Sequence, residues 1–178
     1  QRVGADLFLH AGDRIYADGP ILPEVKTVDG SVWRNLPAPG IDRVAESVAD
    51  YRERYAYPFL DPAVRAFAAA VPLCAIWDDH EVRNNWFPGQ RLDDERYREK
   101  AIDVLAERGR RAMLDYTPLR DRSARYRAFS WGPDVEMFLL DGRSFRTPND
   151  TNVGAGARFL GPEQLAWLVG AMARSKAT

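Results

Sequence analysis

One cysteine, two histidines and no surplus of either charge are the first features of this 178-residue chain. Cys74 stands alone, so an intrachain disulfide is excluded. Inside "VPLCAIW" it reads as a small core hydrophobe, and the redox compartment stays open. Lysine and arginine number 25 against 26 aspartates and glutamates. That balance gives no support to nucleic-acid binding driven by net charge. No apolar stretch approaches the roughly 20 residues of a membrane span. Internal repeats and low-complexity tracts are also missing. What remains is a chain with 46% apolar residues, long enough for one globular domain with a real core. Gln1 is not an initiator methionine, and "RSKAT" at the far end stops as a helix finishes. We read residues 1–178 as a piece of a longer chain truncated at both ends, so an export signal cannot be judged from it.

Hydrophobic patterning predicts strands interleaved with helices, and therefore an α/β layered fold. "DLFLHAGD" (6–13) and "PLCAIW" (72–77) read as buried strands. Between them, residues 17–41 carry repeated Gly and Pro and read as one long irregular loop. From Asp42, the spacing of Val44, Val48, Tyr51 and Tyr55 predicts an amphipathic helix. Asp61 and Pro62 supply the N-cap and first position of another. A longer helix is expected over 93–116 despite Gly109, and a strand pair around Gly132-Pro133-Asp134. A last helix opens at Pro162, with Leu165, Leu168, Val169 and Met172 expected inward.

Three apolar runs end alike. "LFLHAGD" delivers Asp13, "LCAIWDDH" delivers Asp78, Asp79 and His80, and "MFLLDGR" delivers Asp141 and Arg143. Ligands of open α/β sheets bind outside the carboxyl ends of the strands. Carboxylates gathered there repel one another unless cations neutralise them, and bound metal does so most simply. Each residue also has a plain structural reading. Asp13 can shape a turn, Asp78 or Asp79 can cap a helix begun by "HEVRNNW", and His80 can be a satisfied polar group at that start. His10, within its strand, reads as packed and hydrogen-bonded. Asp141 with Arg143 can form a simple ion pair, and Tyr16 can be core. Agreement in position is what favours the functional reading.

Four blocks, "HAGDRIYADG" (10–19), "WDDHEVRNNW" (77–86), "LDGRSFR" (140–146) and "FLGPEQLAWL" (159–168), resemble alkaline phosphatase D-type enzymes of the metallophosphatase superfamily, in the family's order. The resemblance implies an αββα sandwich of the metallophosphatase (calcineurin-like) type with a metal centre at the strand ends. It places Asp13 at the metal-bridging aspartate. It also places Asp79 where an asparagine ligand normally stands, His80 at the catalytic histidine, and Tyr16 at a tyrosine that ligates ferric iron. A phenol suits a hard, strongly Lewis-acidic ion, which alone strips its proton at neutral pH. The metal set implied is Fe3+ with Ca2+, while Mn, Mg or Zn also accept such oxygen ligands. A cysteine ligand upstream and a later "GD-x-H" block fall outside this chain, and Cys74 is not the counterpart of the former. The isolated residues are therefore expected to be poorly metallated and inactive. Export to the periplasm or medium is the family expectation.

The implied activity is hydrolysis of a small phosphate ester by a metal-activated oxygen. Arg143 is the candidate phosphate clamp with Arg146 in reserve, and His80 the catalytic group, its ring fixed by Glu81 or Asp78. Trp33 and "NNWFPG", including Asn84 and Asn85, are expected either to wall the pocket or to anchor loops. Two alternatives stand beside this: a phosphodiesterase or nuclease on the same metals, and a non-catalytic calcium-binding module.

Overall fold

The computed structural model describes residues 4–151 and 153–177. Gln1 and Thr178, on which the reading of a truncated chain partly rests, lie outside them. Two short strands, β1 (Phe8–His10) and β4 (Leu73–Ala75), run parallel with Phe8 opposite Leu73, Leu9 opposite Cys74 and His10 opposite Ala75. A further bond from the Ile76 N–H to the His10 carbonyl, 3.1 Å, carries the pairing one residue towards the site. The chain between them supplies β2 (Glu24–Lys26), β3 (Val32–Arg34), α1 (Val48–Ala56), a 3-10 turn (Tyr57–Leu60) and α2 (Pro62–Ala70). After β4 come α3 (Ile102–Tyr116), β5 (Arg127–Trp131), β6 (Val135–Leu139) and α4 (Pro162–Arg174). The described residues thus form a mixed α/β fold with three separate two-stranded sheets.

Several expectations are met with shifted boundaries. Residues 17–41 are not one irregular loop, because β2 and β3 pair antiparallel within them. The Thr27, Asp29 and Ser31 hydroxyl and carboxylate groups knot that turn. α1 begins at Val48, not near Asp42. The Ser47 hydroxyl accepts the Asp50 N–H at 3.1 Å while the Asp50 carboxylate accepts the Ser47 N–H at 2.8 Å, a reciprocal cap that sets the start. Asp61 caps α2 by accepting the Ala63 N–H at 2.7 Å, with Pro62 first in the helix. Only 102–116 of the expected 93–116 helix is helical, since an isolated bridge between Arg91 and Ala101 closes the preceding segment into a loop with a turn at residues 95–96. β5 and β6 form the expected hairpin, turning at Gly132 with φ +70°.

Two apolar faces are corrected. β1 is not buried: Phe8 and Leu9 are 39% and 48% exposed. On α4, Leu165, Val169 and Met172 are exposed and Leu168 only half-buried, while the single buried residue is Gln164. α4 is held instead by Trp167, whose ring lies 4.8 Å from that of Tyr126, and by the Gln164 amide donating to the Asp141 and Leu160 carbonyls. Among the described residues nothing covers its aliphatic stripe, so periodicity identified a helix without saying which face meets protein.

The core lies where α3 packs on α1. Trp77, Val82, Trp86, Tyr97, Ile102 and Leu105 form one cluster, and Ile15, Ala17, Tyr51, Tyr55 and Ala112 another, with Met113 packed against both. Gly109 belongs to this contact. A Cβ there would sit 3.0 Å from the Glu81 carbonyl oxygen and 3.4 Å from both Tyr51 and Val82. Helix propensity favours alanine over glycine by about 1 kcal/mol, whereas overpacking costs about 1–3 kcal/mol. Packing wins. Gly109→Ala is expected to lower stability by roughly 1–2 kcal/mol in thermal or urea unfolding; a stabilised variant would contradict the close packing.

Candidate metal centre

β1 and β4 leave the sheet side by side, and their exits touch. Gly12 has φ +109°, and a Cβ on it would lie 2.5 Å from the Asp78 Cβ and 2.9 Å from the Asp78 nitrogen. Only glycine admits that approach. Asp13 follows in the left-handed region at φ +54°, which aspartate tolerates better than most residues. Between the two exits lies Glu81, 1% exposed. Its carboxylate accepts the N–H groups of Asp13 at 3.1 Å, Arg14 at 2.5 Å and Asp78 at 2.7 Å. Burial pushes the Glu81 carboxyl upward against the opposing pull of those three donors, and the net direction is up. Arg14 extends the tie, donating to the Tyr116 carbonyl at the end of α3 at 2.9 Å.

At these exits Asp13, Asp79 and His80 each offer a ligand atom, all within 4.8 Å of one another. Asp79 is 5% exposed, and its carboxylate also accepts the Asn85 N–H at 2.5 Å. The Asp13 carboxylate accepts the His80 N–H at 3.4 Å. Residues 78–86 form turns, not the helix that "HEVRNNW" might have begun, so Asp78 and Asp79 are not side-chain caps. Asp79 organises the turn through its carbonyl, which accepts the Val82 and Arg83 N–H groups.

The His80 ring is fixed by neither Glu81 nor Asp78. Its Nδ1 lies 2.9 and 3.0 Å from the two carboxylate oxygens of Asp18, leaving Nε2 as the unengaged ring nitrogen. Asp18 also accepts the Asn84 N–H at 2.8 Å, and its carbonyl receives Arg96. Sequence reading passed over Asp18 although it lies in the quoted "HAGDRIYADG" block; the signal was its short spacing from Asp13 on the same strand exit. Burial lowers His80, but the hydrogen bond and charge of Asp18, with Asp79 and Asp13, outweigh it and raise the imidazole above its ordinary value. Tyr16 is not core: it is 58% exposed and its ring lies 4.3 Å from that of His80, tilted by 31°. Its phenol thus stands at the site's open side.

Arg143 joins the site through Asp78, its Nε donating to that carboxylate at 2.5 Å, with Nη2 3.5 Å from Asp79. Its Nη1 is buried with no hydrogen-bond partner among the described residues. Arg146 donates to Asn149 and stacks 5.3 Å over Phe159, while its Nε is likewise buried and unpartnered. Asp141 does not join the acidic group. Buried at 1% exposure, it accepts the Arg143 and Ser144 N–H groups and the Ser144 hydroxyl, which closes its own turn and aims Arg143. A backbone bond therefore replaces the expected Asp141–Arg143 ion pair. His10 stays in its strand, half-buried, with Nδ1 unpartnered and its ring edge-on to Phe8.

A mixed α/β chain thus gathers carboxylates and an imidazole, groups able to ligate a metal ion, at parallel strand ends with a guanidinium beside them. Comparison with known proteins narrows the class. The model of the PhoD-like phosphatase family matches residues 1–178, and the chain belongs to that family. It is 30% identical over 189 aligned residues to alkaline phosphatase D of Bacillus subtilis (strain 168), covering 97% of this chain and 31% of that protein. The solved structure described as "Structure of PhoD" superposes with a TM-score of 0.75 at 28% identity, covering 97% of this chain and 34% of that one. The chain therefore spans about one third of the length of these relatives.

The Asp18–His80 pair carries a pH signature. Because the folded imidazole titrates above its ordinary value, protonated His80 stabilises the metal-free fold at pH below the ordinary histidine range. That contribution is lost as pH rises through the raised value. Asp18→Asn is expected to move the His80 midpoint downward when the metal-free chain is titrated by NMR. An unmoved midpoint would contradict the pairing.

Proposed function

We propose that the chain forms the strand-end half of the active site of a metal-dependent phosphoric ester hydrolase, with Asp13 and Asp79 as the nucleus of its metal centre and His80 beside them as the catalytic group. The observation that carries this reading is the convergence of those three ligand atoms within 4.8 Å at the exits of two parallel strands. The hard oxygen donors fit Fe3+ and Ca2+, with Mn, Mg or Zn as chemically acceptable substitutes. Tyr16, exposed beside His80, is the residue whose phenol would select a ferric ion over calcium alone. Further ligands and the second layer of an αββα sandwich would come from sequence beyond these residues, in keeping with the one-third span of the relatives.

Bound metal supplies Lewis acidity at phosphorus and an activated water near neutral pH. The chain's own residues do the rest. Asp18 holds the proton on Nδ1 of His80, so Nε2 faces the reaction and can receive or return a proton at the leaving oxygen. Arg143 is pre-aimed by the Asp141 turn and keeps one N–H group unpartnered for a phosphate oxygen. Asp78 buttresses that guanidinium until an anion competes for it. The 17–41 segment with Trp33, 63% exposed, and the turn around Asn84 and Asn85 would border the approach and set the preference between monoester and diester.

The test uses the polypeptide that carries these residues together with the remaining ligands. Hydrolysis of 4-nitrophenyl phosphate and of bis(4-nitrophenyl) phosphate is measured with bound metal quantified in parallel. Asp13→Asn is expected to abolish metal content and turnover together, and His80→Ala to lower kcat by about 10²–10⁴. Asp13→Asn with full metal and full turnover would overturn the assignment. Calcium binding without turnover on either ester would favour the non-catalytic reading.

A further inference from the structure

Glu81 stands at the centre of the site yet is 1% exposed and touches none of the side chains that would meet a ligand. Its hydrogen-bond partners among the described residues are backbone N–H groups: Asp13 at 3.1 Å and Asp78 at 2.7 Å on Oε2, and Arg14 at 2.5 Å on Oε1. Those amides belong to two segments, the exit of β1 and the exit of β4, which are also linked by the Ala17 N–H to the His80 carbonyl and by Asp18. They are pressed so closely that Gly12 has no room for a Cβ against Asp78. Asp13 is held in a left-handed backbone that costs a non-glycine residue on the order of 1 kcal/mol. A fourth carboxylate beside Asp13, Asp78 and Asp79 adds like charge, so a stabilising ion pair is not the reason for it. Its geometry is.

We propose that Glu81 is the positioning residue of the metal centre: its carboxylate is the strut that sets the separation of the two strand exits and thereby the distance between Asp13 and Asp79. This rests on the reading of those two residues as metal ligands. A glutamine in its place is almost isosteric but offers one acceptor oxygen and one NH2 donor. At least one of the three backbone N–H groups then faces a donor, and the Asp13 turn is free to relax. Groups that orient metal ligands in this way commonly change metal affinity about 10–100-fold when removed.

The experiment uses the polypeptide that carries these residues together with the remaining ligands, and compares it with its Glu81→Gln variant by amide hydrogen exchange and by Mn2+ titration followed by EPR. The expected result is faster exchange, by about tenfold or more, at Asp13, Arg14 and Asp78, with unchanged exchange at Tyr51 and Leu105 in the core. A fall in Mn2+ affinity of about 10–100-fold should accompany it. Equal Mn2+ affinity in the two proteins overturns the inference. So does exchange that accelerates uniformly, which would make Glu81 a general stability residue. If Glu81→Gln does not fold, Glu81→Asp, which keeps the charge and loses the reach, is judged by the same two criteria. A wild-type chain that binds no Mn2+, with Asp13→Asn behaving identically, overturns the metal-centre reading itself, whereas equal binding by wild type and Glu81→Gln overturns only the strut.

Discussion

Two strand exits that would drift apart in isolation are tied by one buried carboxylate. The Glu81 side chain gathers the N–H groups of Asp13, Arg14 and Asp78, and Gly12 lets the two backbones touch. With the Ala17 N–H donating to the His80 carbonyl as a second link, the site is built around that tie. It places Asp13 beside Asp79 and His80, brings Asp78 under Arg143, and leaves the following residues of the β1 exit, Tyr16 and Asp18, to flank the His80 ring. The helical core reaches the same spot from below: Gly109 of α3 packs on the Glu81 carbonyl, and Arg14 closes on the end of that helix. Site and core are therefore one mechanical unit.

Electrostatically the arrangement is unfinished as protein alone. Asp13, Asp18, Asp78 and Asp79 converge with His80 and with the guanidinium of Arg143 close by. Desolvation and mutual repulsion would favour dispersing them. The fold does the opposite, using backbone N–H groups of Asn84, Asn85 and His80 to hold carboxylates in place. A cation shared by Asp13 and Asp79 beside His80 would remove the conflict, which is the physical case for metal at this spot.

What could be read from the sequence was local. Asp61-Pro62 marked a helix start, Gly132 a hairpin, and the runs ending in Asp13 and Asp79 marked strand exits, because capping, turn geometry and burial are written in neighbouring residues. What could not be read was partnership. Glu81 looked like a partner for the adjacent histidine, yet two of its three bonds reach across 67 and 68 residues of chain, and the histidine is held by Asp18 from 62 residues away. Asp141 shares the pattern of Asp13 and Asp79 but spends its oxygens on its own turn. Burial was misread for the same reason: Leu165, Val169 and Met172 have helical spacing, but spacing cannot say whether another element is there to meet them. α2 meets β1 through the edge-on rings of Phe8 and Phe67, beside a cavity of about 470 Å³ that Val64 and Leu73 also line.

The central claim is that Asp13 and Asp79 hold metal in common, with His80 beside it. Anomalous diffraction from crystals grown with Fe3+ and Ca2+ tests it most directly. The account predicts an iron peak bonded to Asp13 with Asp79 and His80 around the same centre. Strong peaks elsewhere, with these three side chains bonded only to protein and water, would contradict it.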